Sequence, residues 1–75
     1  MSNTNPNTRA IVAAFRSDHK PLRVCAAKIV DKVTAQDGKS PLFLVQMAFE
    51  ASESTARTIL TERARFDQSG ELKTT

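Results

Sequence analysis

The chain has no tryptophan, no tyrosine, one cysteine, one histidine and two glycines in 75 residues. Each shortage closes a route. A single cysteine, Cys25, excludes an internal disulfide and any cysteine-based zinc site. His19 stands alone in a polar link before a proline, with no second imidazole to complete a metal site, and is expected to be solvated. No apolar run approaches the roughly 20 residues that a bilayer-spanning helix needs, so no membrane partner is expected. The start Met1-Ser2-Asn3-Thr4-Asn5 lacks the basic-then-apolar order of a secretory signal, which makes a cytoplasmic location the expectation. There is no paired histidine and carboxylate, no activated-cysteine context and no glycine-rich phosphate loop. Catalysis, a metal, a cofactor and a small-molecule ligand are therefore not expected. With the larger aromatics absent, Phe15, Phe43, Phe49 and Phe66 are expected to supply most of the large core volume. Cys25, between Val24 and Ala26, is expected to be a small core residue.

What remains is the composition of one folded domain over residues 1–75, 40% hydrophobic and 25% charged. A core of this size is modest, so a partner, a dimer or DNA can add to its stability. The net charge of +3 is unevenly spread. Residues 9–39 carry seven basic side chains against three acidic ones, and residues 40–75 carry four against five. This division suits an N-terminal half that holds phosphates and a C-terminal half that reads bases, and it suits an ordinary solvated surface equally well.

The hydrophobic spacing predicts an all-α, compact bundle of about four helices that contains a helix-turn-helix. Residues 1–5 are expected to be a flexible tail. Pro6 or Thr8 opens a first helix to about Ser17, with Ile11, Ala14 and Phe15 inward and Arg9 and Arg16 outward. Pro21 opens a second helix whose apolar stripe is Leu22, Cys25, Ala26, Ile29 and Val33, and Gly38 is suited to a left-handed helix end. Ser40-Pro41 starts a third helix to about Phe49 or Ala51, with Leu42, Val45 and Phe49 on its buried side. After a break at Ser52 a fourth runs to about Phe66, burying Ala56, Ile59, Leu60 and Ala64. Asp67 to Gly70 signals a turn, and 71–75 is expected to be a short tail. A small winged hairpin around Ser69-Gly70 is a lesser alternative for the last segment.

The most informative stretch is Ala51-Ser52-Glu53-Ser54-Thr55-Ala56-Arg57-Thr58-Ile59-Leu60. Ser52 offers a hydroxyl to cap the fourth helix, and Glu53 places a carboxylate at the positive end of the helix dipole. Ala51 and Ala56 are small enough for the two helices to approach closely. Ser54, Arg57, Thr58, Thr61 and Arg65 fall on the outer face, where short hydroxyls and guanidinium groups suit base edges and phosphates in a major groove. A merely solvated helix face would favour Glu, Lys and Gln, which are better helix formers than Ser and Thr. The candidate DNA-binding residues are therefore Lys39, Ser40, Ser52, Ser54, Thr55, Arg57, Thr58, Thr61 and Arg65. Arg57 leads for a base contact, while Lys39 and Ser40 are expected to meet the backbone at the start of the third helix. Lys20, Arg23 and Lys28 are further candidates for phosphate contacts.

Residues 41–60 resemble the bacterial helix-turn-helix family, in which a small or apolar residue precedes Ser, then Thr, a small residue, Arg and Ile. Ala51, Ser52, Thr55, Ala56, Arg57 and Ile59 match in order. Glu50 stands where that family usually has glycine, and Gln46 where it usually has alanine; the first departure bears on the turn, because glycine tolerates positive φ. Taken with the start Met1-Ser2-Asn3 and the helix Arg23 to Val33, the chain also resembles the N-terminal DNA-binding domain of the StbA-type stability proteins of conjugative plasmids. That resemblance implies binding to short direct repeats near the plasmid's own stability operon, repression of that operon and faithful plasmid inheritance. It implies a nucleoid- or plasmid-associated protein, and members that continue beyond a domain of this size. A monomer on direct repeats and a dimer on a palindrome are both compatible with these residues, as is a homo-oligomer on repeated sites.

A second reading belongs to another class: a small helical protein-interaction module, antitoxin-like or a phage-encoded inhibitor. Phe43, Leu44 and Met47 lie off the main buried stripe and are its candidate contact patch. A third takes the last two helices as packed elements of a bundle with a polar outer face and no nucleic acid.

Overall fold

The computed structural model describes residues 6–73. Four helices, α1 (Pro6–Phe15), α2 (Lys20–Val33), α3 (Pro41–Phe49) and α4 (Glu53–Ala64), form an all-α bundle. Their starts follow ordinary capping chemistry. The Ser40 hydroxyl accepts from the Phe43 N–H (3.1 Å) and Pro41 follows at once, so α3 begins where its first turn is both capped and preset in φ. α2 begins at Lys20-Pro21 after an extended His19. It ends when the Thr34 hydroxyl donates to the Val30 carbonyl (2.9 Å), four residues before Gly38. Gly38 does adopt positive φ, 84°, but in a separate turn rather than at the helix end. The first and fourth helices are two residues shorter than their spacing predicts, stopping at Phe15 and Ala64. None of the four is long and apolar enough to cross a membrane.

Ile11, Phe15, Ala26, Ala27, Val30, Val45, Phe49, Ala56, Ile59 and Phe66 build the core. Phe15 stacks on Phe66, with ring centroids 6.1 Å apart. Burying Ile59 alone is worth about 1.5–3 kcal/mol. Among the described residues every buried polar side-chain atom has a partner: Thr8, a candidate to open the first helix as its cap, lies within α1 and donates its hydroxyl to the Phe49 carbonyl (3.1 Å). That bond ties α1 to the C-terminal end of α3, where the helix runs out of its own N–H donors.

Three burial expectations change. On α2 the buried side is Ala26, Ala27 and Val30, leaving Leu22, Cys25 and Ile29 exposed. Small alanines let α2 approach its neighbours, which turns the larger residues of the stripe to the rim. Phe43 is 43% exposed and adds little to the core, whereas its neighbour Leu44 is buried. On α4, Ala64 is exposed and Glu62 is buried in its stead, because two arginines reach it.

After α4 the chain turns back on itself. Phe66 and Leu72 make one antiparallel bridge, too short for the strands of a wing. The Asp67 N–H donates to the Glu71 carbonyl (2.9 Å) and the Lys73 N–H to the Arg65 carbonyl (2.8 Å). Residues 71–73 are thus held, not the free tail their polarity suggests; 1–5 and 74–75 lie outside the described residues. Gly70 is required here. Its φ is 82°, and a Cβ would sit 2.7 Å from Val24 Cγ2. Arg23 closes the turn by donating to the Gly70 carbonyl (3.0 Å) and the Ser17 carbonyl (2.9 Å), so it serves as a clamp and not as a spare cation.

Candidate nucleic-acid interface

Glu50 decides how α4 leaves α3. It sits at φ 51°, ψ 46°, the left-handed conformation that ends a helix, and the Ala51 N–H reaches back to the Gln46 carbonyl (3.0 Å). That six-to-one bond is the signature of a Schellman end. A residue with a Cβ pays about 1–2 kcal/mol for this backbone, yet the turn forms with glutamate in the place where glycine is usual. The connection is three residues, Glu50 to Ser52, and α3 and α4 are the most extensively packed pair of helices.

Hydroxyls organise the start of α4. The Ser52 Oγ accepts from the Thr55 N–H (3.3 Å), donates to the Thr55 Oγ1 (3.1 Å) and lies 3.3 Å from the Ser54 Oγ. Ser52 and Thr55 therefore spend hydrogen-bonding capacity on the cap, while Ser54 is exposed beside them. One turn on, the Thr58 hydroxyl donates to the Ser54 carbonyl (3.1 Å), which leaves its lone pairs outward. Arg57 is exposed and held by Glu53, whose Oε2 accepts from Nε (3.2 Å) and Nη2 (2.9 Å). An exposed i,i+4 pair of this kind is worth about 0.3–0.5 kcal/mol, so a stronger acceptor can take the guanidinium from it. Thr61, also exposed, extends the row by another turn. Ser54, Arg57, Thr58 and Thr61 are thus brought together as one polar face with donors and acceptors available.

Arg65, Lys39 and Ser40 do not join that row. Arg65 Nη1 bonds Glu62 Oε1 (2.6 Å), and its guanidinium lies 5.4 Å from the centre of the Phe66 ring, on the side of α1. Lys39 leans over the Phe43 ring (5.2 Å) at the far end of α3, about 13 Å of helix from the turn, and the Ser40 hydroxyl is occupied as a cap. Lys20 pairs with Glu71 (2.6 Å).

Charge pairs fasten the C-terminal end of α4 to its neighbours. Glu62 bridges Arg16 (2.8 Å) on α1 and Arg65 (2.6 Å) on its own helix. Burial pushes its carboxyl up, but the two guanidinium hydrogen bonds and their charges prevail and the pKa lies below the ordinary value. Arg63 grips Asp31 of α2 through Nε (2.8 Å) and Nη2 (2.9 Å). This bidentate bond holds the Asp31 carboxyl low against partial burial and raises Arg63 in turn. These two locks were not expected from the spacing, in which Glu62 and Arg63 are ordinary charged positions near a helix end.

No protein-family model matches the chain, and no curated protein or solved structure matches it either.

Proposed function

We propose that the chain is a sequence-specific binder of double-stranded DNA that lays α4 in the major groove. The observation that carries this reading is the three-residue turn with left-handed Glu50 and capping Ser52. It ends α3 and starts α4 within three residues without a glycine, and Ser54, Arg57, Thr58 and Thr61 follow as a single row along α4. Arg57 exchanges Glu53 for a guanine edge, with two parallel hydrogen bonds, while the hydroxyls contact neighbouring bases and phosphates. Following the plasmid-stability resemblance, the targets are short repeats beside the chain's own operon, and binding represses that operon.

A gel-shift titration tests the reading. A labelled duplex from upstream of the chain's own gene is set against scrambled DNA at about 50 and about 200 mM salt. Selective binding that weakens steeply with salt supports a DNA reader. Equal or absent shifts at low salt overturn it.

A further inference from the structure

Among the described residues, four of the five large hydrophobic side chains left exposed, Leu22 (47%), Ile29 (42%), Phe43 (43%) and Met47 (64%), stand along one continuous face. Leu22 and Ile29 edge a groove of about 420 Å³ between α1 and α2, floored by Ile11, Ala26 and Phe49. Phe43 and Met47 edge a neighbouring cleft on α3, and the two depressions share Val33 and Ala48. A contiguous apolar face of this kind on a small domain marks an interaction surface.

Two features define what covers it. Leu22, Cys25 and Ile29 follow one another at spacings of three and four, the seam that a second helix packs against with knobs in holes, and Phe43 and Met47 repeat the spacing of four on α3. The second feature is charge. Lys39 lines the α3 cleft, and Lys28 lines the adjoining hollow beside Cys25, where Lys20 is already paired with Glu71. Among the described residues no Asp or Glu lines any of the three depressions. Lys28, Lys32 and Lys39 are exposed and, among the described residues, take part in none of the ion pairs that engage Arg16, Lys20, Arg57, Arg63 and Arg65.

We infer that this face docks an amphipathic helix of a protein partner, apolar on one side and acidic on its flanks. A second copy of the chain fits less well, since two-fold pairing would set one lysine edge against another. A lipid surface would leave the concave groove unfilled, whereas a helix sends side chains into it. No residue of α4 or of its turn lines the face, so docking does not depend on the DNA reading and the two contacts need not compete.

The test uses the whole chain and a synthetic helix of about 18 residues, with leucines at the seam positions and glutamates on the flanks. It is expected to bind, with affinity that falls as salt rises, and to shield Cys25 from a maleimide reagent. Ile29→Glu and Met47→Glu, both at exposed positions, are each expected to weaken binding about tenfold with the helical circular dichroism unchanged. A peptide with lysines in place of the glutamates is expected not to bind. Equal binding of both peptides, or undiminished Cys25 labelling, overturns the proposal. So does sedimentation as a dimer that Ile29→Glu dissolves, which assigns the face to a second copy. Binding to anionic vesicles but not to the peptide overturns it in favour of a lipid surface.

Discussion

α2 and α4 both turn one side to solvent, and those sides are opposites. That of α4 carries Ser54, Arg57, Thr58 and Thr61, of which the first three are held by hydrogen bonds to Ser52, Glu53 and the Ser54 carbonyl. That of α2 carries Leu22, Cys25 and Ile29, with Lys28 beside them in none of the ion pairs among the described residues. The buried sides are opposites too. α2 hides two alanines and a valine, whereas α4 hides Ala56 and Ile59 together with a carboxylate held by two arginines. Side-chain size and available partners, more than hydrophobicity alone, decide which stripe of a helix goes inward in so small a bundle.

The sharpest way to break the comparison uses one residue type on both helices. Ile59→Ala, at a fully buried site, should cost about 2–5 kcal/mol, enough to threaten folding in a domain of this size. Ile29→Ala should cost well under that, about 0.5–1 kcal/mol, because much of the side chain is already in water. Urea titrations of the two variants measure the gap; equal losses would mean that the α2 stripe is part of the core after all.

Next in size is Arg57→Ala. It should remove about 1–3 kcal/mol of binding to a specific duplex and leave urea stability within about 0.5 kcal/mol, as it breaks only an exposed ion pair. Fluorescence anisotropy with matched and scrambled duplexes reads the first quantity. Retained selectivity would move the reading face elsewhere.

The Glu62 lock gives a third contrast. Glu62→Gln should cost about 1–2 kcal/mol at neutral pH, less than a fully buried triad, since Arg16 and Arg65 are about half exposed and can rehydrate. Glu62 and Asp31 have folded-state pKa values below their unfolded ones. The native state therefore binds fewer protons. Their contribution is complete above the ordinary carboxylate range and is lost as pH falls through the lowered values. Thermal melts from about pH 6 to about pH 3 should show Tm falling with acid, and Glu62→Gln should flatten that fall.

The smallest effect is a gain. Glu50→Gly should stabilise the fold by about 0.5–1 kcal/mol, the strain of a left-handed glutamate relieved against the entropy that glycine adds to the unfolded chain. A rise in the urea midpoint with an unchanged slope is the expected signature.

The helix plan was legible in the sequence because its punctuation is local. Ser40-Pro41, Ser52 and the apolar spacing each act within one turn, and the helices begin where those residues stand. The row on α4 was legible for the same reason, since spacing alone places Ser54, Arg57, Thr58 and Thr61 on one side. What escaped depends on distant partners. Thr8 meets Phe49 across 41 residues, Arg16 meets Glu62 across 46, and Arg23 meets Gly70 across 47. The exposed stripe on α2 escaped because its periodicity is that of a buried face, and only the packing of Ala26 and Ala27 reveals which side is covered.

The most direct test of the two-faced account is an NMR titration of the isotope-labelled chain with a duplex selected by the gel shift. The account predicts that amide signals of Ser54, Arg57, Thr58 and Thr61 move together while those of Leu22, Cys25 and Ile29 stay in place. Shifts confined to α2, with the α4 row unmoved, would contradict it.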